Sequence, residues 1–183
     1  LPEIVKKILP HIEIEFIEEF LSAKNLEKLL SGNPSYVIDC IDNIEAKVDL
    51  CAYCVKNKIK LISACGAGMK ADPTRIQIRD ISASECKFTK KCLNELDDDL
   101  SRALRTKLKK KGVTSGFPVV FSTERTTREL LPLKEFQKEH PDNYRILPNY
   151  RVRIVPVFSC MPALMGQSIA SYVLCDLADQ LFK

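Results

Sequence analysis

Two aspartates and an asparagine close one short apolar run of this chain, and a pair of glycines closes the next. Residues 36–79 read Y-V-I-D-C-I-D-N-I-E-A-K-V-D-L-C-A-Y-C-V-K-N-K-I-K-L-I-S-A-C-G-A-G-M-K-A-D-P-T-R-I-Q-I-R. A carboxylate at a strand end, Asp39 or Asp42, can hold a magnesium ion that bridges nucleotide phosphates, because magnesium prefers oxygen ligands and usually takes one or two from a protein. Gly66 and Gly68 allow close backbone approach to a ligand, or simply a tight turn. Each acidic residue also has a structural role open to it. Asp42 precedes Glu45 by three residues, the spacing of a capping box, and spacing alone favours that cap. Asp39 can accept hydrogen bonds from nearby backbone amides.

The elements that position these groups are legible from periodicity. Residues 36–40 and 60–64 are compact apolar runs, hence strands. Between them Ile44, Val48, Cys51, Ala52 and Val55 share one helical face, with Lys56 and Lys58 suited to the negative end of the helix dipole. Strands alternating with helices of this length predict an α/β fold, a Rossmann-like open sheet with parallel pairing. In such sheets ligands gather at the carboxyl ends of the strands, so the two polar groups fall on one edge.

Upstream, a helix is expected to end at Pro10, and residues 11–16, alternating Ile12, Ile14 and Phe16 with polar neighbours, read as a half-buried strand. Asn25 is a candidate cap for a short helix over 25–30. Downstream, strands are expected over 75–81, 117–122 and 151–158. A long helix carries Leu93, Leu96, Leu100, Leu104 and Leu108 over about 89–111. Residues 123–149, with three prolines and no sustained periodicity, read as an exposed excursion, and residues 163–181 as a closing helix. The whole, residues 1–183, is expected to form one domain.

Composition narrows the class. Forty-five per cent hydrophobic and 28% charged residues exclude a disordered chain. Eight cysteines without short regular spacing read as reduced thiols rather than a disulfide framework. The apolar C-terminal stretch is interrupted by Gln167, Asp176 and Asp179, which points to a buried helix rather than a membrane span.

The wording of the motifs is more specific than their spacing. D-C-I-D-N, followed by G-A-G-M-K-A-D-P-T-R-I-Q-I-R-D and later by V-F-S-T-E at residues 120–124, resembles the ubiquitin-activating-enzyme-like superfamily. Within it the chain is most similar to the tRNA threonylcarbamoyladenosine dehydratase family, on D-P-T-R-I-Q-I above all. The resemblance covers most of the chain and is weakest over residues 126–149. It implies an enzyme that uses ATP to adenylate the carboxylate of the threonylcarbamoyl group on tRNA, beside the anticodon. Ring closure then expels AMP, for a net loss of water. By motif match, Asp42 holds magnesium and nucleotide, with Cys40, Ile41 and Asn43 beside it. The resemblance further implies a homodimer on the cytoplasmic side, with association with the mitochondrial outer membrane as in fungal members.

Three departures from the family qualify this. No G-x-G-x-x-G occurs in the 183 residues, so the phosphate-binding half-site is expected upstream or on another chain. Val119 stands where some relatives place a cysteine, which favours cyclisation over sulfur transfer, and Cys65 reads as a small buried residue. Only Cys51 and Cys54 have C-x-x-C spacing, inside a helix, against structural zinc, and His11 and His140 are solitary. Arg102, Arg105, Lys107, Lys109, Lys110 and Lys111 form a basic helix end that either follows tRNA phosphates or is a solvated face. The alternatives are an activating enzyme for a ubiquitin-like or sulfur-carrier protein, and a non-catalytic subunit of such an enzyme.

Overall fold

In the computed structural model, residues 2–82, 99–124, 130–143 and 154–179 are described. Their elements run α1 (Pro2–Ile8), α2 (Leu26–Leu29), β1 (Val37–Asp39), α3 (Ile44–Lys56), β2 (Leu61–Ala64), β3 (Ile76–Asp80), α4 (Asp99–Lys110), β4 (Pro118–Ser122), α5 (Leu133–Glu139) and α6 (Cys160–Leu177). Four strands form one sheet in the order β1-β2-β4-β3. β1 pairs parallel with β2, setting Val37 beside Leu61 and Asp39 beside Ser63, and β2 pairs parallel with β4.

The period-2 alternation of strand side chains divides the core into two layers. Leu61, Val119 and Phe121 point to the face covered by α3 and α4, where Val48, Cys51, Cys54, Leu104 and Leu108 are buried. Ile62 and Val120 point to the opposite face and meet Met165, Ile169 and Val173 of α6. Helices on both faces make this an α/β protein with an open sheet.

Some expectations are corrected. β3 runs antiparallel to β4, so the sheet is mixed. The reason is the link from β2: residues 65–75 contain only a 3₁₀ turn (Pro73–Arg75), with no helix to carry the chain across the sheet, so β3 starts from the edge where β2 ends and runs back. Residues 11–16 form no strand, and Phe16 is 69% exposed. Their alternation suits a sheet, yet they pair with none of the described strands. Of the expected strand over 151–158, residues 151–153 lie outside the description. Ile154 makes one isolated bridge to Leu131, and residues 155–158, which include Pro156, are irregular. The expected long helix is seen from Asp99, its first half lying outside the described residues, and α5 interrupts the stretch read as an irregular excursion. Asn25 stands at the N-cap of α2 as expected but makes no side-chain capping bond, its Oδ1 accepting from the backbone N–H of Ser22 instead.

Candidate functional site

The parallel pairing of β1, β2 and β4 brings their carboxyl ends to one edge. Residues 40–43 follow β1, residues 65–72 follow β2, and Thr123 and Glu124 follow β4. The two groups of chemistry-bearing residues that the sequence placed on a common edge are therefore neighbours there.

The two aspartates of D-C-I-D-N have different environments. Asp39 ends β1 and is 1% exposed. Its Oδ2 accepts from Lys47 Nζ at 2.6 Å and from Ser63 Oγ at 2.6 Å, and its Oδ1 accepts from the backbone N–H of Ile41 at 2.9 Å. Lys47 also donates to Ser63 Oγ at 3.2 Å and to the Ala64 carbonyl at 2.9 Å, so its three donors are all used. The Asp39 charge is thus neutralised inside the protein and is not offered to a ligand. Asp42, three residues on, is exposed at the edge.

Asn43, not Asp42, caps α3. Its Oδ1 accepts from the backbone N–H groups of Glu45 and Ala46, both at 3.1 Å. The capping-box reading of Asp42 is therefore corrected, and Asn43, expected to sit beside the nucleotide, has a structural task. The cap also occupies two N–H groups of the helix start that would otherwise serve an anion. Among the described residues no group of three or more His, Cys, Asp or Glu side chains forms a metal cage. A magnesium ion shared with nucleotide phosphates needs no such cage, and the exposed Asp42 carboxylate fits it as a single oxygen donor.

The thiols of Cys40, Cys51 and Cys54 are raised above their ordinary values. Burial, then the Asp39 charge, raises the Cys51 thiol far above its ordinary value, and the same causes bring Cys54 to about 11. Cys40 is raised by burial first and Asp39 second, with Lys47 working against them. Cys65 is buried and receives a hydrogen bond from Ser101 Oγ at 2.9 Å. Val119 is a core residue of β4.

At the end of β2, Gly68 lies against Val155, whose Cγ1 is 2.3 Å from where a Cβ on residue 68 would stand. Any side chain there would have to displace that of Val155, and the neighbouring Pro156 carbonyl accepts from the Met69 N–H at 2.8 Å. On the same loop, a Cβ at Gly66 would meet nothing within 4 Å, so bare backbone faces open space.

Lys107 is paired with Glu45, and Lys111 with Asp49 at 2.5 Å, two rungs that tie α4 to α3. Arg102, Lys109 and Lys110 are exposed, and Arg105 is half-buried.

Sequence reasoning missed Lys47. Its position three residues after Ile44 and four before Cys51 places it on the apolar face of α3, a signal that a charge there must meet a counter-charge from the sheet.

An open α/β sheet with helices on both faces, and acidic and glycine-bearing loops at the ends of adjacent parallel strands, defines a protein of the Rossmann-like class. The chain matches the ThiF family over residues 1–178 and belongs to it. It is 39% identical over 183 residues to tRNA threonylcarbamoyladenosine dehydratase 2 of Saccharomyces cerevisiae, covering 96% of this chain and 38% of that protein. Among solved structures it resembles Escherichia coli tRNA N6-threonylcarbamoyladenosine dehydratase, TcdA, in complex with AMP, with a TM-score of 0.74 and 27% identity over 98% of this chain and 63% of the other. The same enzyme in complex with ATP gives a TM-score of 0.73 at 27% identity, over 98% and 62%. The chain thus spans about two fifths of the length of its yeast relative.

Proposed function

We propose that the protein acts in the ATP-dependent dehydration of threonylcarbamoyladenosine in tRNA, with ATP bound at the edge formed by residues 40–43 and 65–72. The observation that carries this reading is the split between the two aspartates. Asp39 is consumed by Lys47 and Ser63 and Asn43 caps α3, whereas Asp42 is exposed at the edge where ligands sit in such sheets. The similarity to an enzyme solved with AMP and with ATP supports the nucleotide, and the names of the relatives support the tRNA substrate.

In the proposed reaction an oxygen of the threonylcarbamoyl carboxylate attacks the α-phosphorus of ATP, the bond to the β-phosphate oxygen breaks, and pyrophosphate leaves. A nucleophile within the same group then attacks the activated acyl carbon, closes the ring, gives up its proton and expels AMP. The protein's task is positioning and charge neutralisation. Asp42 would hold a magnesium ion, which would supply positive charge to offset that of the phosphates. Asn43 fixes the start of α3, and the Asp39–Lys47 pair fixes the end of β1. The raised thiols of Cys40, Cys51 and Cys54 and the valine at position 119 argue against a thioester or persulfide step.

The phosphates require further donors, since the helix start is capped by Asn43 and the sequence holds no G-x-G-x-x-G. We place them on residues outside these 183 or on a partner chain. The outer edge of β1, unpaired among the described residues, and the alternating segment 11–16 would both be served by added strands. A homodimer and a cytoplasmic location at the mitochondrial outer membrane belong to the same proposal and rest on the family resemblance, whereas tRNA contact through Arg102, Arg105, Lys109 and Lys110 rests on their positive charge at one helix end.

The test mixes the complete gene product with ATP and tRNA bearing threonylcarbamoyladenosine and follows the nucleoside by mass spectrometry. Loss of one water is expected. No change in mass, with adenylation of the tail of a carrier protein instead, would transfer the protein to the carrier-activating enzymes.

A further inference from the structure

Glu124 and the segment 70–72 hold each other reciprocally across more than fifty residues of sequence. One carboxylate oxygen of Glu124 accepts from the backbone N–H groups of Ala71 and Asp72, both at 2.7 Å. In return the Lys70 ammonium donates to the backbone carbonyl of Glu124, and Lys70 is 5% exposed. Next to this clamp, Asp72 accepts from Thr74 and Arg75, and the Arg75 carbonyl accepts from the N–H of Thr123 at 3.0 Å. The loop after β2 is thereby fastened to the end of β4.

A buried lysine and a carboxylate spent on backbone groups are a poor way to gain stability alone, because desolvating the ammonium offsets much of the gain and apolar packing would do as well. What the arrangement does secure is position. It fixes residues 70–72, a few residues after Gly66, whose bare backbone faces open space on the loop that leaves β2, the strand paired with β1. We propose that Glu124, together with Lys70, is a positioning residue for the nucleotide: the clamp holds residues 65–72 in the shape that receives ATP, without itself touching it. The inference rests on the ATP-site reading above.

The experiment measures ATP affinity at equilibrium in the complete gene product and in Glu124→Ala, Glu124→Gln and Lys70→Met, together with the unfolding midpoint of each. Glu124→Ala removes two charge-assisted hydrogen bonds and is expected to weaken ATP binding by about tenfold, roughly 1.4 kcal/mol. Glu124→Gln, whose amide oxygen can accept from both N–H groups, is expected to restore most of that. A clamp that serves stability only would lower the midpoint and leave the ATP affinity of the folded fraction at the wild-type value, and that result overturns the proposal. If Glu124→Ala does not fold, Lys70→Met carries the same expectation and the same overturning result. Wild-type protein that binds ATP but leaves the tRNA unchanged removes the dehydration reading while the clamp is still decided by the affinities. Wild-type protein that binds no ATP removes both.

Discussion

The ammonium of Lys47 stands 2.6 Å from Oδ2 of Asp39, and neither side chain is exposed to solvent. This pair joins the first turn of α3 to the end of β1, and through the Ile41 N–H it shapes the turn that leads to Asp42. Removing one partner strands the other as a buried charge. Lys47→Met is therefore expected to cost roughly 3–5 kcal/mol of stability. Combining it with Asp39→Asn, which keeps an oxygen for Ile41, should cost much less than the sum of the single changes. Urea unfolding in a double-mutant cycle measures this, and additive effects would show that the pair does not act as a unit.

Adjacent residues Asp42 and Asn43 should separate activity from stability. Asp42→Ala, a change at an exposed position, is expected to shift stability by no more than about 0.5 kcal/mol while abolishing turnover. Asn43→Ala loses the cap of α3 and should cost about 1 kcal/mol. Wild-type turnover in Asp42→Ala would remove that residue from the site.

The Glu124 carboxyl is held below its ordinary range, first by the Asp72 N–H and then by that of Ala71. A carboxyl with a depressed folded-state pKa contributes stability that is present above its unfolded value and lost as pH falls through the folded one. The gap in melting temperature between wild type and Glu124→Gln should accordingly be widest near neutrality and narrow as the solution is acidified below the usual carboxylate range. A gap independent of pH would contradict the ionised clamp.

Cys51 and Cys54 are buried and their thiols are raised. Brief alkylation of the native protein at neutral pH, read by peptide mass spectrometry, should leave both unmodified, whereas alkylation in denaturant should modify both. Rapid native labelling of either would show a thiolate that this core does not support.

For tRNA binding, exposure distinguishes the basic residues of α4. Lys107 is half-buried and paired with Glu45, whereas Lys109 and Lys110 are exposed. Lys109→Ala and Lys110→Ala should each reduce the slope of log affinity against log salt by about 0.7–0.9 if that residue neutralises one phosphate. Lys107→Ala should change it less. Equal slopes across the series would place the tRNA elsewhere.

Most of the central sheet was legible because its strands are short apolar runs bounded by turn residues. Residues 36–40, 60–64, 75–81 and 117–122 were expected as strands, and each contains an observed one. The strand expected over 11–16 failed for a different reason. Alternation encodes a face to be buried, but a strand exists only where another strand offers hydrogen-bond partners, and that pairing is non-local.

Sequence alone determined the α/β class, the helix between β1 and β2, the family resemblance and the common edge on which the D-C-I-D-N and G-A-G segments lie. These are local patterns, repeated by the chain within a few residues. Only the tertiary structure decided that β3 runs antiparallel, that Asn43 rather than Asp42 caps α3, that Asp39 belongs to Lys47, and that Glu124 fastens the loop after β2. Each of those depends on which hydrogen-bond and charge partners meet in space. A carboxylate has the same spacing in the sequence whether it is buried in the core or exposed at the edge.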